Sequence, residues 1–178
     1  MRLFIAALLP EDIKKQLTNS IDSLKHELDG VKWEESEKLH VTLKFLGHVE
    51  EPKLDNIADS LGKLVSQYSP FNLNLTELGG FPNLKKLRIL YVGLSTNPQF
   101  ANLVYELEAE LNDLGFEKEN RKFVPHITLG RVKKKINIEH GPRILQTIFR
   151  ITQIGLIKSE LRSSGSVYSP VKLLKLEK

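Results

Sequence analysis

The chain contains no cysteine. That absence excludes disulfides, thiolate nucleophiles and cysteine-based zinc sites together. No apolar run approaches the roughly 18 residues a membrane-spanning helix needs, so no membrane role is expected. Residues 1–9 are apolar apart from Arg2, but Pro10-Glu11-Asp12 follows at once and no small-residue cleavage site is present. The stretch therefore reads as a first strand rather than a signal peptide, and a cytoplasmic location is expected. There is no P-loop, no glycine-rich dinucleotide loop and no Gly-x-Ser-x-Gly elbow. Zinc asks for three or four ligands. His26, His48 and His140 offer no short metal-ligand spacing. Neither metal nor cofactor is expected.

What is present is ordinary for a soluble globular protein: 178 residues, 40% hydrophobic and 27% charged. That is about one domain, with enough chain to bury a core. A net charge of +4 suits a polyanionic partner without requiring one. A single methionine among many Lys and Glu fits a thermophile.

Hydrophobic periodicity divides the chain into alternating strands and helices. Residues 2–8 read as a buried strand. Pro10 opens a helix with Ile13, Leu17, Ile21, Leu24 and Leu28 on one face, ending near Gly30. A short strand over 31–33 and a polar connection over 34–38 lead to a strand over 39–47. Pro52 opens a second helix carrying Leu54, Ile57, Leu61, Leu64 and Val65. Strand alternation returns at 71–75, and 79–83 reads as a loop. A strand over 88–94, a helix from Asn97-Pro98 to Gly115 and a strand within 122–132 follow. A weaker helix is expected over 139–148, and two long strands, 149–162 and 166–176, finish the chain.

These elements repeat. The run Arg2-Leu-Phe-Ile-Ala-Ala-Leu8 aligns with Arg88-Ile-Leu-Tyr-Val-Gly-Leu94 at an offset of 86 residues, and His40-Val-Thr-Leu43 aligns with His126-Ile-Thr-Leu129 at the same offset. One bilobal domain over residues 1–178 is expected, its two lobes related by a pseudo-twofold axis.

In each motif His and Thr stand two residues apart, so an extended strand turns both to one face and sends Val41/Leu43 or Ile127/Leu129 to the other. A twofold axis would bring two imidazoles and two hydroxyls to one groove. Hydrolysis of a strained cyclic phosphodiester needs that set. A base takes a proton from water, an acid protonates the departing ribose oxygen on the opposite side of phosphorus, and hydroxyls hold the nonbridging oxygens. Histidine serves in either role near neutral pH. Which histidine is the acid stays open on residue pattern alone.

His40-Val-Thr-Leu-Lys-Phe-Leu-Gly47 and Pro125-His-Ile-Thr-Leu-Gly-Arg131 resemble the paired His-x-Thr-x motifs of the 2H phosphoesterase superfamily. The match is closest to the RNA 2′,3′-cyclic phosphodiesterases, or 2′-5′ RNA ligase-like proteins, and covers nearly the whole chain. The resemblance implies an α+β fold with two antiparallel sheets lining a central cleft and helices packed outside. It implies metal-independent hydrolysis of an RNA-terminal 2′,3′-cyclic phosphate to a 2′-phosphomonoester, with reverse 2′-5′ ligation to a 5′-hydroxyl end. It makes His40 the proton donor and His126 the proton acceptor, with Thr42, Thr128 and Arg131 on the phosphate. RNA ends, including tRNA fragments, or small cyclic nucleotides are the implied partners of a monomer.

Other positions carry two readings. Strict alternation from His126 sends Arg131 to the core face, so a phosphate contact takes a bulge or the strand end. Phe45 has core parity, Gly47 a backbone reason, and Lys44 groove parity on a solvated rim. Arg121, Lys122 and Lys133 to Lys135 would steer an RNA backbone or simply face solvent. Trp33 and Phe81 would stack on a base or pack in the core. Two other functions remain: a phosphodiesterase for small cyclic nucleotides or 2′-5′ oligoadenylates, and an RNA- or nucleotide-binding module without turnover. Both histidines being intact argues against the last.

Overall fold

The computed structural model describes residues 1–134, 136, 138, 144–163 and 165–178. The strands are β1 (Arg2–Leu8), β2 (Val31–Trp33), β3 (His40–His48), β4 (Phe71–Phe81), β5 (Ile89–Ser95), β6 (His126–Val132), β7 (Ile148–Ile151), β8 (Gln153–Arg162) and β9 (Gly165–Lys175). The helices are α1 (Glu11–Glu27), α2 (Leu54–Val65) and α3 (Pro98–Asp113). Among the described residues no helix is long and apolar enough to cross a membrane.

All strand pairs are antiparallel, in the order β7-β4-β5-β6-β3-β1-β8-β9, with β2 added beside β6. The two sheets expected at the cleft are joined into one through a single register pair, Val41 with Ile127. Beyond that pair β3 and β6 diverge, and β2 fills the gap by pairing Trp33 with Gly130. The result is the expected α+β architecture, a curled antiparallel sheet with three helices.

The helices form where expected because their apolar spacing gives each a continuous stripe. Ile13, Leu17, Ile21 and Leu24 of α1, Ile57, Leu61, Leu64 and Val65 of α2, and Phe100, Leu103, Leu107 and Leu111 of α3 are buried. They pack on Leu3, Ile5, Val41, Leu43, Val92, Leu94, Ile127 and Leu129, which makes one face of the sheet the core. The Asn97 side chain caps α3 by accepting from the Phe100 N–H at 2.8 Å. The opposite sheet face, stripped of helices, is left for the groove.

Two expectations about strands change. Residues 79–81 belong to β4 rather than to a loop. A Cβ at Gly79 would overlap the Tyr91 ring, and one at Gly80 would overlap Leu87. These glycines are therefore strand positions crossed by a neighbour's side chain. The single strand expected over 149–162 is two: β7 pairs with β4, and after Thr152 the chain crosses to the other arm, where β8 pairs with β1. The helix expected over 139–148 falls largely outside the described residues. Its described part, 144–147, has no helix, and Ile148 opens β7.

Candidate active site

Both motif strands begin at their histidine, and both carry the same irregularity. On β3, Thr42 pairs with Ala6 and Lys44 with Ile5, leaving Leu43 unmatched. On β6, Thr128 pairs with Tyr91 and Gly130 with Leu90, leaving Leu129 unmatched. Each is a β-bulge, two residues opposite one, which reverses the facing of everything after it. Their effect is to keep the fifth motif residue, Lys44 or Gly130, on the core side with the fourth and to turn the sixth, Phe45 or Arg131, toward the groove.

The bulges correct two expectations and decide a third. Lys44, expected on a solvated rim, is only 9% exposed and lies on the core side. Phe45, expected in the core, is 69% exposed and lines the groove. Arg131 occupies the position on β6 that Phe45 occupies on β3, and it too lines the groove. Gly47 has a φ of 69°, where a side chain would be strained, so its reason is the backbone one. Trp33 packs against the core. Phe81 instead stands at the site.

The groove encloses a cavity of about 180 Å³ that brings together His40, Thr42, His126, Thr128 and Arg131. Extending the Val41–Ile127 register by one residue each way sets Thr42 opposite His126 and Thr128 opposite His40. The histidines thus lie on one diagonal and the threonines on the other.

Each imidazole is anchored the same way. His40 Nδ1 lies 2.6 Å from the Lys38 carbonyl oxygen, and His126 Nδ1 lies 2.7 Å from that of Val124. A carbonyl only accepts, so Nδ1 carries the hydrogen in both rings and Nε2 is the free proton-transfer atom. At 2.9 Å from His40 Nε2, the Thr42 hydroxyl donates to it. Aromatic rings brace both: Phe4 stacks on His40 at 4.8 Å and Tyr168 meets it edge-on at 5.6 Å, while Phe81 and Tyr91 contact His126 at 4.9 and 5.1 Å.

This packing governs the electrostatics. Loss of water around His40 pushes its pKa down to about 4, opposed by the Lys38 carbonyl and reinforced by the like charge of His126. His126 is lowered for the same reason, against the pull of the Val124 carbonyl. Burial also raises the Tyr168 phenol, as does the Glu34 carboxylate, against the opposing charges of Arg131, Lys38 and Arg2. Arg131 Nε stands 3.5 Å from Glu34 Oε1, a loose ion pair. Among the described residues no group of three or more His, Cys, Asp or Glu could hold a metal ion.

Phe4, Tyr91, Tyr168, Glu34 and Lys38 were not singled out from the sequence. Tyr91 could have been, because Leu90 and Val92 are core and strict alternation sends Tyr91 to the groove. Tyr168 could not, since its hairpin of β8 and β9 reaches the site only through the remote pairing of β8 with β1. Of the expected basic residues, Arg121 and Lys122 line an adjoining cleft, while Lys134 turns away to Asp29 at 3.4 Å. Lys135 and His140 lie outside the described residues.

The LigT-like phosphoesterase family model matches the chain twice, over residues 8–91 and 92–168. A Methanocaldococcus jannaschii protein named RNA 2′,3′-cyclic phosphodiesterase is 36% identical over 97% of this chain and 99% of its own. One of the same name from Methanothermobacter thermautotrophicus is 33% identical over 99% of each. Among solved structures, a Thermus thermophilus protein matches with a TM-score of 0.85 at 28% identity, covering 99% of this chain and 98% of that one. Escherichia coli LigT complexed with 3′-AMP matches at 0.81 and 26% identity, with the same coverage. With both motif strands inside the matched segments and relatives aligned end to end, this chain belongs to the LigT-like phosphoesterase family.

Proposed function

We propose that the protein hydrolyses the 2′,3′-cyclic phosphate at an RNA end to a 2′-phosphomonoester, by acid–base catalysis between two histidines and without a metal. The observation that carries this reading is the shared anchoring of the rings: both Nδ1 atoms are held by a backbone carbonyl two residues back, which turns both Nε2 atoms to one cavity, that of His40 accepting from Thr42. The naming of full-length relatives as RNA 2′,3′-cyclic phosphodiesterases supports it.

The phosphate sits between the motifs, its nonbridging oxygens accepting from Thr42 and Thr128 and facing Arg131. His126 Nε2 takes a proton from the attacking water. As the new P–O bond forms, the bond from phosphorus to O3′ breaks, and His40 Nε2 gives that oxygen its proton. The product keeps its phosphate on O2′, and solvent restores both rings. Attack by a 5′-hydroxyl on the same phosphorus would give 2′-5′ ligation.

His40 is neutral in the free protein, and a general acid must be charged. Protonating a group of pKa about 4 at pH 7 costs roughly 4 kcal/mol. The bound phosphate supplies this. Its negative charge favours the imidazolium, and once the Thr42 hydroxyl donates to a phosphate oxygen instead of to His40 Nε2, that nitrogen is released to hold a proton toward O3′. Substrate binding and charging of the acid are thereby one event.

The same proposal covers a monomer acting in the cytoplasm on ends such as those of tRNA fragments. The test is incubation with EDTA and a cyclic-phosphate-ended RNA, or a cyclic mononucleotide, followed by identification of the product. A 2′-phosphate should form, and kcat should fall roughly 10²–10⁴-fold in both His40→Ala and His126→Ala. Full activity in either variant overturns the mechanism. Turnover of the mononucleotide alone would assign a small-nucleotide phosphodiesterase, and binding without turnover at any pH a binding module.

A further inference from the structure

Thr42, Phe45, Gly47 and His126 border two spaces at once. On one side is the catalytic cavity, bordered away from the cleft by Ser159, Ser166 and Tyr168. On the other is an open cleft of about 1220 Å³, walled by β3 beyond the motif, by Phe81 to Ile89, and by the segment after α3 that leads to His126. The catalytic chemistry uses none of the outer part of this cleft.

Its lining has a definite character. Phe45 stands at the threshold with most of its ring in solvent, and Phe81 lies across from it. Around them Lys53, Arg88, Lys118 and Lys122 are exposed, and none forms an ion pair with a carboxylate among the described residues. Of the acids on the same walls, Glu108 is tied to Lys44 and Glu119 to Arg121, leaving Glu117. The cleft therefore presents aromatic faces within a cationic rim, the combination that holds single-stranded nucleic acid by stacking and by phosphate contact.

Resting on the reading of the site given above, we propose that this cleft is the path of the RNA strand on the 5′ side of the reacting end, and that it makes the protein prefer an oligonucleotide to a cyclic mononucleotide. A nucleoside carrying a 2′,3′-cyclic phosphate has one chain exit, its O5′. Because the cavity opens into the cleft along Thr42, Phe45, Gly47 and His126, a polymer bound at the histidines leaves past Phe45. The next base stacks on that ring, and the following phosphates run along Lys53, Arg88, Lys118 and Lys122.

The test compares a tetraribonucleotide ending in a 2′,3′-cyclic phosphate with the cyclic mononucleotide of the same terminal base. Kinetics are paired with fluorescence anisotropy of a 2′-phosphate-ended tetranucleotide, which reads the cleft whether or not turnover occurs. The wild type should favour the tetranucleotide at least tenfold in kcat/KM at low salt. Its log kcat/KM should fall more steeply with log salt, by about 0.7 for each additional phosphate contacted. Arg88→Gln/Lys122→Gln should lower kcat/KM on the tetranucleotide at least tenfold more than on the mononucleotide, and Phe45→Ala should weaken tetranucleotide binding without changing that salt slope. Equal use of both substrates by the wild type, equal losses on both in the double variant, or unchanged anisotropy in that variant overturns the strand path. Length-dependent binding with no hydrolysis of either substrate overturns the catalytic reading instead and leaves the strand path standing.

Discussion

Val41 pairs with Ile127, and the two are 86 residues apart, the same offset that relates the two His-x-Thr motifs in sequence. A pair whose members are each other's equivalents is where a twofold axis between two copies must pass. We read the domain as two lobes related about this pair, with both side chains fully buried on the core face and the two His-Thr sets flanking it on the groove face. The two motifs part at their fifth residue, Lys44 in one and Gly130 in the other. Lys44 reaches Glu108 across the core side, whereas a Cβ on its counterpart Gly130 would come within 2.6 Å of Val31, because β2 lies there.

The histidine environments fix a pH signature. In the free protein both pKa values lie below the ordinary 6.5, His40 at about 4. The profile of kcat/KM reports the free enzyme, so its bell should be centred below pH 6.5. The kcat profile reports the complex, where the phosphate anion favours imidazolium, and should be displaced to higher pH. Steady-state kinetics from pH 4 to 9 measure both. Coincident bells centred near neutrality would contradict this coupling. The two limbs belong to the interacting pair rather than to one ring each.

Folding stability should carry the same imprint. A histidine at about 4 folded and about 6.5 unfolded is protonated more readily in the unfolded chain between those values. Unfolding therefore becomes easier as pH falls through that window, and the contribution of His40 is fully present above it. The loss from this one ring amounts to at most about 3 kcal/mol. Urea unfolding at pH 7 and pH 4.5 should show a smaller pH-dependent drop in His40→Asn than in the wild type. Parallel drops would mean that the buried imidazole is not the source.

Gly79 supports His126 from a distance. With no side chain, it lets the Tyr91 ring lie against β4, where it contacts Phe81 at 4.5 Å and His126 at 5.1 Å. In Gly79→Ala the added methyl pushes that ring off the strand and toward His126. Overpacking of this kind costs about 1–3 kcal/mol. The expected result is a modest fall in Tm with a drop in kcat of about tenfold or more, while KM changes less. Thermal melts and kinetics together decide it: an unchanged kcat would show that the aromatic brace does not position the ring.

The elements that were legible in the sequence were those whose signal is local. Ile13, Leu17, Ile21 and Leu24 specify α1 by spacing alone, Asn97-Pro98 marks the start of α3, and the repeated His-x-Thr marks the two central strands. What misled was the assumption of unbroken alternation. A bulge is invisible to a period-two pattern, yet it decides whether Lys44, Phe45 and Arg131 face core or groove. Leu43-Lys44-Phe45-Leu46 fits either phase, because an apolar residue is acceptable at a groove mouth and a lysine is acceptable in the core once it has a carboxylate. Tyr168 and Glu34 reach the site only through the long-range pairing of β8 with β1 and through loop path, for which no local pattern exists.

The burial of Lys44 leads to the sharpest stability expectation. Its ammonium donates to Glu108 Oε2 and to the Glu117 carbonyl, both at 2.8 Å, and Glu108 Oε2 also accepts from the Glu119 N–H at 3.3 Å. One lysine thus ties β3 to α3 and to the segment that leads into β6 and His126. Removing only the acid strands a cation in a nearly dry site, a change that costs about 3–5 kcal/mol for a fully buried pair and less here, since Glu108 is itself partly exposed. Removing both charges avoids that penalty, because the pair's attraction largely offsets its own desolvation. Glu108→Leu should therefore lower stability by about 2–3 kcal/mol, while Lys44→Met/Glu108→Leu should recover most of the loss. Chemical denaturation of the two single variants and the double variant yields the coupling energy directly. Purely additive losses would mean that the two groups stabilise the fold through separate contacts.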